Sequence, residues 1–159
     1  MNKGAIISDC AKYRYQLWRI EDENKPLILW VMLNPSTADA NIDDATIKKL
    51  IRLTHQFGYG GFYVGNLYPY RATDPKELKR VGFDVVAREE NWQHIREMST
   101  KCSIKILAHG NSPIKKPNIT SNGEENDWYY LGKLTKSGNP YHPLYIKEEG
   151  LFPQLLKII

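Results

Sequence analysis

The stretch that most constrains the fold is a run of seven apolar residues, Leu27 to Leu33, which stops at Asn34-Pro35. A continuous apolar run of this length is typical of a strand buried on both faces of a sheet. Pro35 has no N–H to donate to a sheet and favours extended geometry at Asn34, so the strand should end there. The sequence therefore predicts a buried strand that delivers polar side chains to a sheet edge, where α/β proteins bind ligands.

The residues that follow predict a β-α-β unit. Asp43 or Asp44 is placed to cap a helix that runs to about Phe57, with apolar residues recurring at helical spacing. Three glycines then turn the chain into a second strand over 62–67. Two strands joined by a helix in this way are expected to lie parallel, with a right-handed connection.

The whole chain predicts one α/β domain over residues 1–159, because a chain of this length can bury a full core. Residues 1–26 are predicted to be extended and to form an antiparallel hairpin with the first strand. The other predicted segments are a helix over about 84–99, strands over 103–108 and 128–131, a surface loop over 112–127 and a short helix over 151–159. The expected architecture is a three-layer α/β/α sandwich around a mainly parallel four-stranded sheet.

Composition and charge narrow the class of protein. A net charge of +4 permits contact with nucleotides or nucleic acid without requiring it. The two cysteines, Cys10 and Cys102, lie far apart without metal-ligand spacing, which favours a reducing compartment. No apolar run approaches the length of a membrane span, and the first residues lack the pattern of a signal peptide. We therefore expect a cytoplasmic protein with no membrane partner.

Polar loops follow four of the predicted strands, and in a parallel sheet they would meet at one edge. Together they offer amides, imidazoles, hydroxyls, a guanidinium and aromatic rings, which suit a flat hydrogen-bonding ligand such as a nucleobase. The candidate site residues are Asn34, Ser36, Thr37, Asn66, Tyr68, Tyr70, Arg71, His109, Asn111 and His142.

Each candidate also has a structural interpretation. Asn34 and Asn66 are common turn residues, and His109 before a glycine suits a partly buried turn. For any single loop the structural interpretation is favoured, whereas for all four loops together a shared site is favoured.

Three acids leave a metal site open as an alternative. With a histidine, Asp39, Asp43 and Asp44 would suit a divalent cation. However, helix capping and the helix dipole already explain Asp43 and Asp44, so no metal and no cofactor are predicted.

Four segments carry a resemblance to a known family. They are MLNPSTAD at 32–39, DDATI at 43–47, FGYGGFYVGNLYPYRATDP at 57–75 and GNPYHPLYI at 138–146. In order and spacing the chain resembles the bacterial and phage domain-of-unknown-function family 1643, whose name implies no settled activity. The chain has His109-Gly110 where that family tends to have Trp-Gly, and Tyr141 where it tends to have Arg.

A weaker resemblance is to the uracil-DNA glycosylase superfamily, which also has a polar loop with Asn-Pro and a late His-Pro loop. That resemblance implies a glycosylase-like fold. It also implies that Asn34 positions a water, Asn66 reads a base edge and His142 stabilises the departing base. Such a reaction needs a placed water and stabilised charge but no metal.

The sequence thus leads to a hypothesis and a rival. The hypothesis is a pocket for a nucleobase, nucleoside or nucleotide that hydrolyses an N-glycosidic bond, either in DNA or in a free nucleoside. The rival is a non-catalytic nucleotide binder, or a phage-type protein that blocks a host protein. A groove lined by Lys105, Lys115, Lys116, Lys133 and Lys136 would favour nucleic acid.

Overall fold

The computed structural model describes residues 1–81, 85–117, 119 and 127–156. Its strands are β1 (Asn2–Ile7), β2 (Arg14–Ile20), β3 (Leu27–Met32), β4 (Gly61–Asn66), β5 (Ile104–Leu107), β6 (Trp128–Leu131) and β7 (Pro153–Leu156). Its helices are α1 (Ala45–Gln56), α2 (Leu78–Val81) and α3 (Val85–Lys101), with short 3-10 turns at Pro75–Glu77 and Pro143–Tyr145. Within these ranges, no helix is both long and apolar enough to cross a membrane.

All seven strands form one mixed sheet in the order β1-β2-β4-β3-β5-β6-β7. The pairs β3·β4, β3·β5 and β5·β6 are parallel. The pairs β1·β2, β2·β4 and β6·β7 are antiparallel. β3, α1 and β4 therefore form the predicted β-α-β unit with parallel strands, and antiparallel strands extend the sheet at both edges.

The predicted three-layer sandwich around a mainly parallel four-stranded sheet is wrong. The N-terminal hairpin does not join β3, because β2 pairs with β4. The tail does not form the predicted helix over residues 153–156, which instead pair with β6 as β7. Three predicted segments lie partly outside the described residues: 157–159 of that tail, Asp84 at the start of the predicted helix, and 118 and 120–126 of the predicted loop over 112–127.

The physical reason is that an added strand satisfies the backbone hydrogen-bonding groups of an open sheet edge. The local sequence does not show which edges are open. The outer edge of β6 offers backbone N–H and C=O groups, and an apolar tail can satisfy them by pairing as a strand. This added pairing outweighs any helical preference of so short a segment, whose propensity is a weak predictor. The correction also removes the fold that the weaker resemblance implied.

β3 lies at the centre of the core, and its side chains alternate between two hydrophobic clusters. Trp30 packs with Leu53 of α1 in what we call the α1 cluster. Val31 packs with Ile95 of α3 in the α3 cluster, on the opposite side. All of β3 after Leu27 is buried, which confirms the predicted strand buried on both faces.

The carboxyl ends of β3, β4, β5 and β6 lie at one edge of the sheet, because these neighbouring strands are parallel. Backbone hydrogen bonds join the loops that leave them. Ala72 N–H donates to Pro35 O at 2.9 Å, and Gly110 N–H donates to Pro140 O at 2.9 Å. The polar loops therefore form one continuous surface.

Candidate functional site

A pocket of about 630 Å³ opens at this edge of the sheet. Its walls come from the segments after β3, β4, β5 and β6, together with Thr46 at the start of α1. This volume falls within the range of small-molecule sites. The candidates that line it together are Asn34, Ser36, His109, Asn111 and His142.

The other five candidates lie elsewhere. Thr37, Tyr70 and Arg71 line a second hollow of about 390 Å³, which shares Ser36 with the pocket. Asn66 is not at the pocket, because its side chain is turned into the interior and the residue is only 1% exposed. Tyr68 is also buried, and its hydroxyl donates a hydrogen bond to the carbonyl of Lys115.

The amide of Asn34 is held in one orientation. Its Nδ2 donates to Ala72 O at 2.8 Å and to Pro35 O at 3.1 Å. Backbone carbonyls only accept hydrogen bonds, so these contacts assign Nδ2 and Oδ1 unambiguously. Oδ1 therefore remains as the acceptor that Asn34 can offer to a ligand or a water.

His109 is fixed as a hydrogen-bond acceptor. It is 8% exposed, and its Nδ1 lies 2.7 Å from the carbonyl of Gly110, so Nδ1 must carry the hydrogen. Burial, with a smaller contribution from the nearby Lys116, lowers the pKa of His109 to about 4 against the opposing effect of the hydrogen bond to Gly110. At neutral pH the ring is uncharged, and Nε2 has a free lone pair.

His142 has the opposite tautomer. Its Nδ1 accepts a hydrogen bond from the N–H of Leu144 at 3.2 Å, as the cap of the 3-10 turn Pro143–Tyr145. Burial lowers the pKa of His142, with an opposing contribution from Asp44. The neutral ring therefore carries its hydrogen on Nε2 and can donate it.

Gly110 holds the two histidine loops together. Its φ of +67° is a left-handed conformation that favours glycine, and an added Cβ would lie 3.2 Å from Cβ of His142. A side chain at this position would therefore be strained and would also displace His142.

Comparison with known proteins identifies the family. Residues 14–144 match the model of a family described as a protein of unknown function, DUF1643. The chain belongs to the DUF1643 family. No curated protein and no solved structure matches it.

Several residues that line the pocket were not among the candidate site residues of the sequence. They are Thr46, Thr73, Thr135, Lys136, Tyr141, Leu144 and Tyr145. Tyr145 is 77% exposed, and its ring centroid lies 5.6 Å from that of His142, so it offers an aromatic face beside the imidazole. The aromatic content of the segment around His142 was the available signal, whereas Thr135 and Lys136 follow β6 in an ordinary turn sequence.

The acids considered for a metal have structural partners instead. Asp39 accepts hydrogen bonds from the backbone of Asn41 and Ile42. Asp43 pairs with the buried Arg19 at 2.7 Å, and Asp44 caps α1 by accepting from the N–H of Ile47. In the part of the chain that the structure describes, no three His, Cys, Asp or Glu side chains are grouped to hold a metal ion.

Asn66 instead belongs to a buried polar network behind the pocket. Its Oδ1 lies 3.5 Å from Nη2 of Arg14, and its carbonyl accepts from Nδ2 of Asn91 at 2.8 Å. Arg14 also donates to the carbonyl of Ala38 at 2.9 Å, in the loop that follows Asn34. The network therefore supports the wall of the pocket without lining it.

The five lysines do not form the groove that would favour nucleic acid. Lys105 is buried with its Nζ over the ring of Trp128, and Lys133 lies over the ring of Tyr141. Lys116 donates to the side chain of Asn139. Of these five, Lys136 is the one in the described lining of the pocket.

Proposed function

We propose that the pocket binds a nucleobase joined to a sugar and hydrolyses the N-glycosidic bond between them. The observation that supports this is the pairing of two neutral imidazoles in opposite tautomers beside the fixed amide of Asn34. His142 offers an N–H donor, while His109 and Asn34 offer acceptors. A nucleobase edge and an attacking water need this combination of groups.

In the proposed reaction His142 acts on the leaving base. The bond between the sugar C1′ and the base nitrogen breaks, and its electron pair stays with the base. Nε2–H of His142 donates a hydrogen bond to the base as negative charge develops there. A positioned donor of this kind acts mainly in the transition state, where it lowers the barrier.

Asn34 and His109 act on the water. Oδ1 of Asn34 and Nε2 of His109 accept hydrogen bonds from a water, whose oxygen then bonds to C1′. With a pKa of about 4, His109 is a weak base. The reaction therefore proceeds by departure of the base before the water bonds, and the proton lost by the water ends on the released base.

A second candidate function is binding without turnover. It is favoured by the absence of any carboxylate among the described residues that line the pocket, since a carboxylate would be a stronger base for the water. In that case the same donor and acceptor set would retain an intact nucleoside or nucleotide.

The supporting features favour a small ligand over duplex DNA. Of the five lysines considered above, Lys105 is buried over Trp128 and Lys116 donates to Asn139, so the five form no continuous charged track to the pocket. Duplex binding depends strongly on such phosphate contacts.

The test is to incubate the purified protein with ribo- and deoxynucleosides, nucleotides and oligonucleotides that carry normal and modified bases. Released bases are measured by liquid chromatography with mass spectrometry, and binding is measured by calorimetry. We expect His142→Ala to slow release by a factor on the order of 10²–10³, as for other single transition-state donors.

The matched control is His55→Ala, because His55 is an exposed histidine that pairs with Glu21 on another part of the surface. It should leave the rate unchanged. Binding of a nucleoside with no release of base from any substrate would favour the second function. If no nucleobase compound binds at all, both proposals fail.

A further inference from the structure

The second hollow adjoins the pocket and carries positive charge. We call it the basic groove and define it by Lys12, Ser36, Thr37 and Arg71. It measures about 390 Å³ and shares Ser36, Ala72 and Thr73 with the pocket. A ligand seated in the pocket could therefore extend into it.

The groove is built from three segments that hydrogen bonds hold in place. The N–H of Arg71 donates to the carbonyl of Lys12 at 2.8 Å, which joins the β1–β2 turn to the loop after β4. Ala72 N–H donates to Pro35 O at 2.9 Å and ties that loop to the segment of Ser36 and Thr37. The backbone segments that carry the two cations and two hydroxyls are thus held together before a ligand arrives, which reduces the entropy cost of binding.

Charge in the groove is unbalanced. Its described lining contains two cationic side chains and no carboxylate. Nη1 of Arg71 donates to the carbonyl of Ala11 at 3.2 Å, which orients the guanidinium and leaves its other N–H groups available. Asp39 lies outside this lining, where hydrogen bonds from the N–H groups of Asn41 and Ile42 and, to a smaller extent, the charge of Arg71 lower its pKa. Its carboxylate therefore offsets part of the positive charge of Arg71. Cations with adjacent hydroxyls are suited to a phosphate group.

We propose that the basic groove binds the phosphate of a nucleotide whose base occupies the pocket. The inference rests on the proposed function and specifies its substrate class as a phosphate ester rather than a free nucleoside. The phosphate belongs either to a mononucleotide or to a phosphodiester at the target nucleotide of a single strand. Both sources present the same anionic oxygens to Lys12 and Arg71.

The experiment compares calorimetric affinities of a nucleoside, its 5′- and 3′-monophosphates, a short single-stranded oligonucleotide and inorganic phosphate. We expect one of the monophosphates to bind at least roughly tenfold more tightly than the nucleoside, as for a charge-assisted hydrogen bond. Arg71→Gln and Lys12→Gln should remove this advantage and leave the nucleoside affinity unchanged.

Lys25→Gln is the matched control, because Lys25 is an exposed lysine in the turn between β2 and β3 and should not affect any affinity. Arg71→Gln retains the backbone N–H that bonds to Lys12, and its thermal unfolding midpoint checks that the groove stays folded. An oligonucleotide that binds more tightly than either monophosphate would assign the groove to a phosphodiester; otherwise it is assigned to a mononucleotide.

Two other outcomes separate this inference from the proposed function. If nucleosides and monophosphates bind equally and the groove variants change nothing, the basic groove does not bind phosphate while the pocket proposal stands. If neither nucleosides nor nucleotides bind, the proposed function and the nucleotide inference both fail. Inorganic phosphate that still binds in an Arg71-dependent manner would then identify an anion site unrelated to a base.

Discussion

His109 and His142 both line the pocket with an imidazole ring, yet the neighbouring backbone gives the two rings opposite hydrogen-bonding roles. The carbonyl of Gly110 fixes the hydrogen of His109 on Nδ1. The N–H of Leu144 leaves the hydrogen of His142 on Nε2. Because burial lowers the pKa of both rings, their roles are those of neutral imidazoles near pH 7.

At this scale the pH dependence of stability is a direct test of the His109 environment. Burial lowers the pKa of His109 from 6.5 to about 4, so between these values the unfolded chain binds more protons than the folded protein. Stability must then rise with pH across this window. The free energy of unfolding is unaffected by this shift above pH 6.5, where His109 is neutral in both states. Roughly 3 kcal/mol of it is lost as the pH falls to about 4.

The measurement is urea denaturation of the wild type and of His109→Gln at several pH values from 4 to 7. The variant should show a flatter dependence on pH, because glutamine does not titrate. Equal slopes for the wild type and His109→Gln would contradict the buried environment of His109.

At the scale of elements, the start of α1 couples helix capping to the pocket. The Asp44 carboxylate accepts a hydrogen bond from Ile47 N–H at 2.9 Å, and its charge raises the pKa of His142 against the effect of burial. One side chain thus stabilises the helix and influences the titration of a pocket residue.

Two substitutions separate these effects. Asp44→Ala should lower the free energy of unfolding by about 1 kcal/mol, the usual cost of losing an N-cap. Asp44→Asn should preserve most of that stability, since asparagine also caps helices well. Both should lower the pKa of His142, because both remove the carboxylate charge.

Chemical denaturation measures the first effect, and NMR titration of the His142 ring measures the second. Asp74→Asn is a suitable control, because Asp74 caps the 3-10 turn Pro75–Glu77 instead of α1. A pKa of His142 that rises in Asp44→Asn would contradict the proposed coupling.

At the scale of the whole molecule, β3 joins two cores into one cooperative unit. Trp30 belongs to the α1 cluster and Val31 to the α3 cluster, and both are fully buried. Neither cluster can lose its packing without exposing one face of the same strand. We therefore expect both faces to unfold in a single transition.

The test uses one substitution in each cluster. Leu53→Ala in α1 and Ile95→Ala in α3 should each lower the free energy of unfolding by about 2–5 kcal/mol, because both side chains are fully buried. Far-ultraviolet circular dichroism and tryptophan fluorescence should still report the same midpoint for each variant. Ile42→Ala, at a side chain that is 61% exposed, should change stability by less than about 0.5 kcal/mol.

Separate midpoints for the two probes in either variant would show that the clusters unfold independently. Such a result would show that the pocket loses one wall before the other, since its walls include Leu33 of the α3 cluster and Thr46 of α1. Coincident midpoints would support a single unit that holds the pocket in place.

The part of the fold that sequence predicts well is the part governed by local chemistry. The apolar run at β3, the stop at Pro35 and the cap at Asp44 each depend on residues within a few positions of one another. The β-α-β unit follows from these signals. The partners of β2 and β7 could not be read in this way, because pairing depends on which sheet edges the rest of the chain leaves open.

Asn66 shows the same limit for the site. Asn66 is the last residue of β4, and Asn34 lies two residues after the end of β3. The sequence predicts a place in the pocket for both residues. Arg14, far away along the chain, contacts the Asn66 side chain in the interior, and Asn91 donates to the Asn66 backbone carbonyl. Lys105 is likewise placed by Trp128, over which its charge lies.

The sequence by itself determined a buried central strand, the polar loops at its end and the family to which the chain belongs. Only the tertiary structure decided the seven-stranded mixed sheet, the choice of Asn34 over Asn66, the opposite tautomers of His109 and His142, and the position of Lys12 beside Arg71. The physical reason is range. A strand, its end at a proline or a helix cap depends on neighbours in the chain. An amide orientation, a tautomer or a charged groove is fixed by atoms that folding brings together.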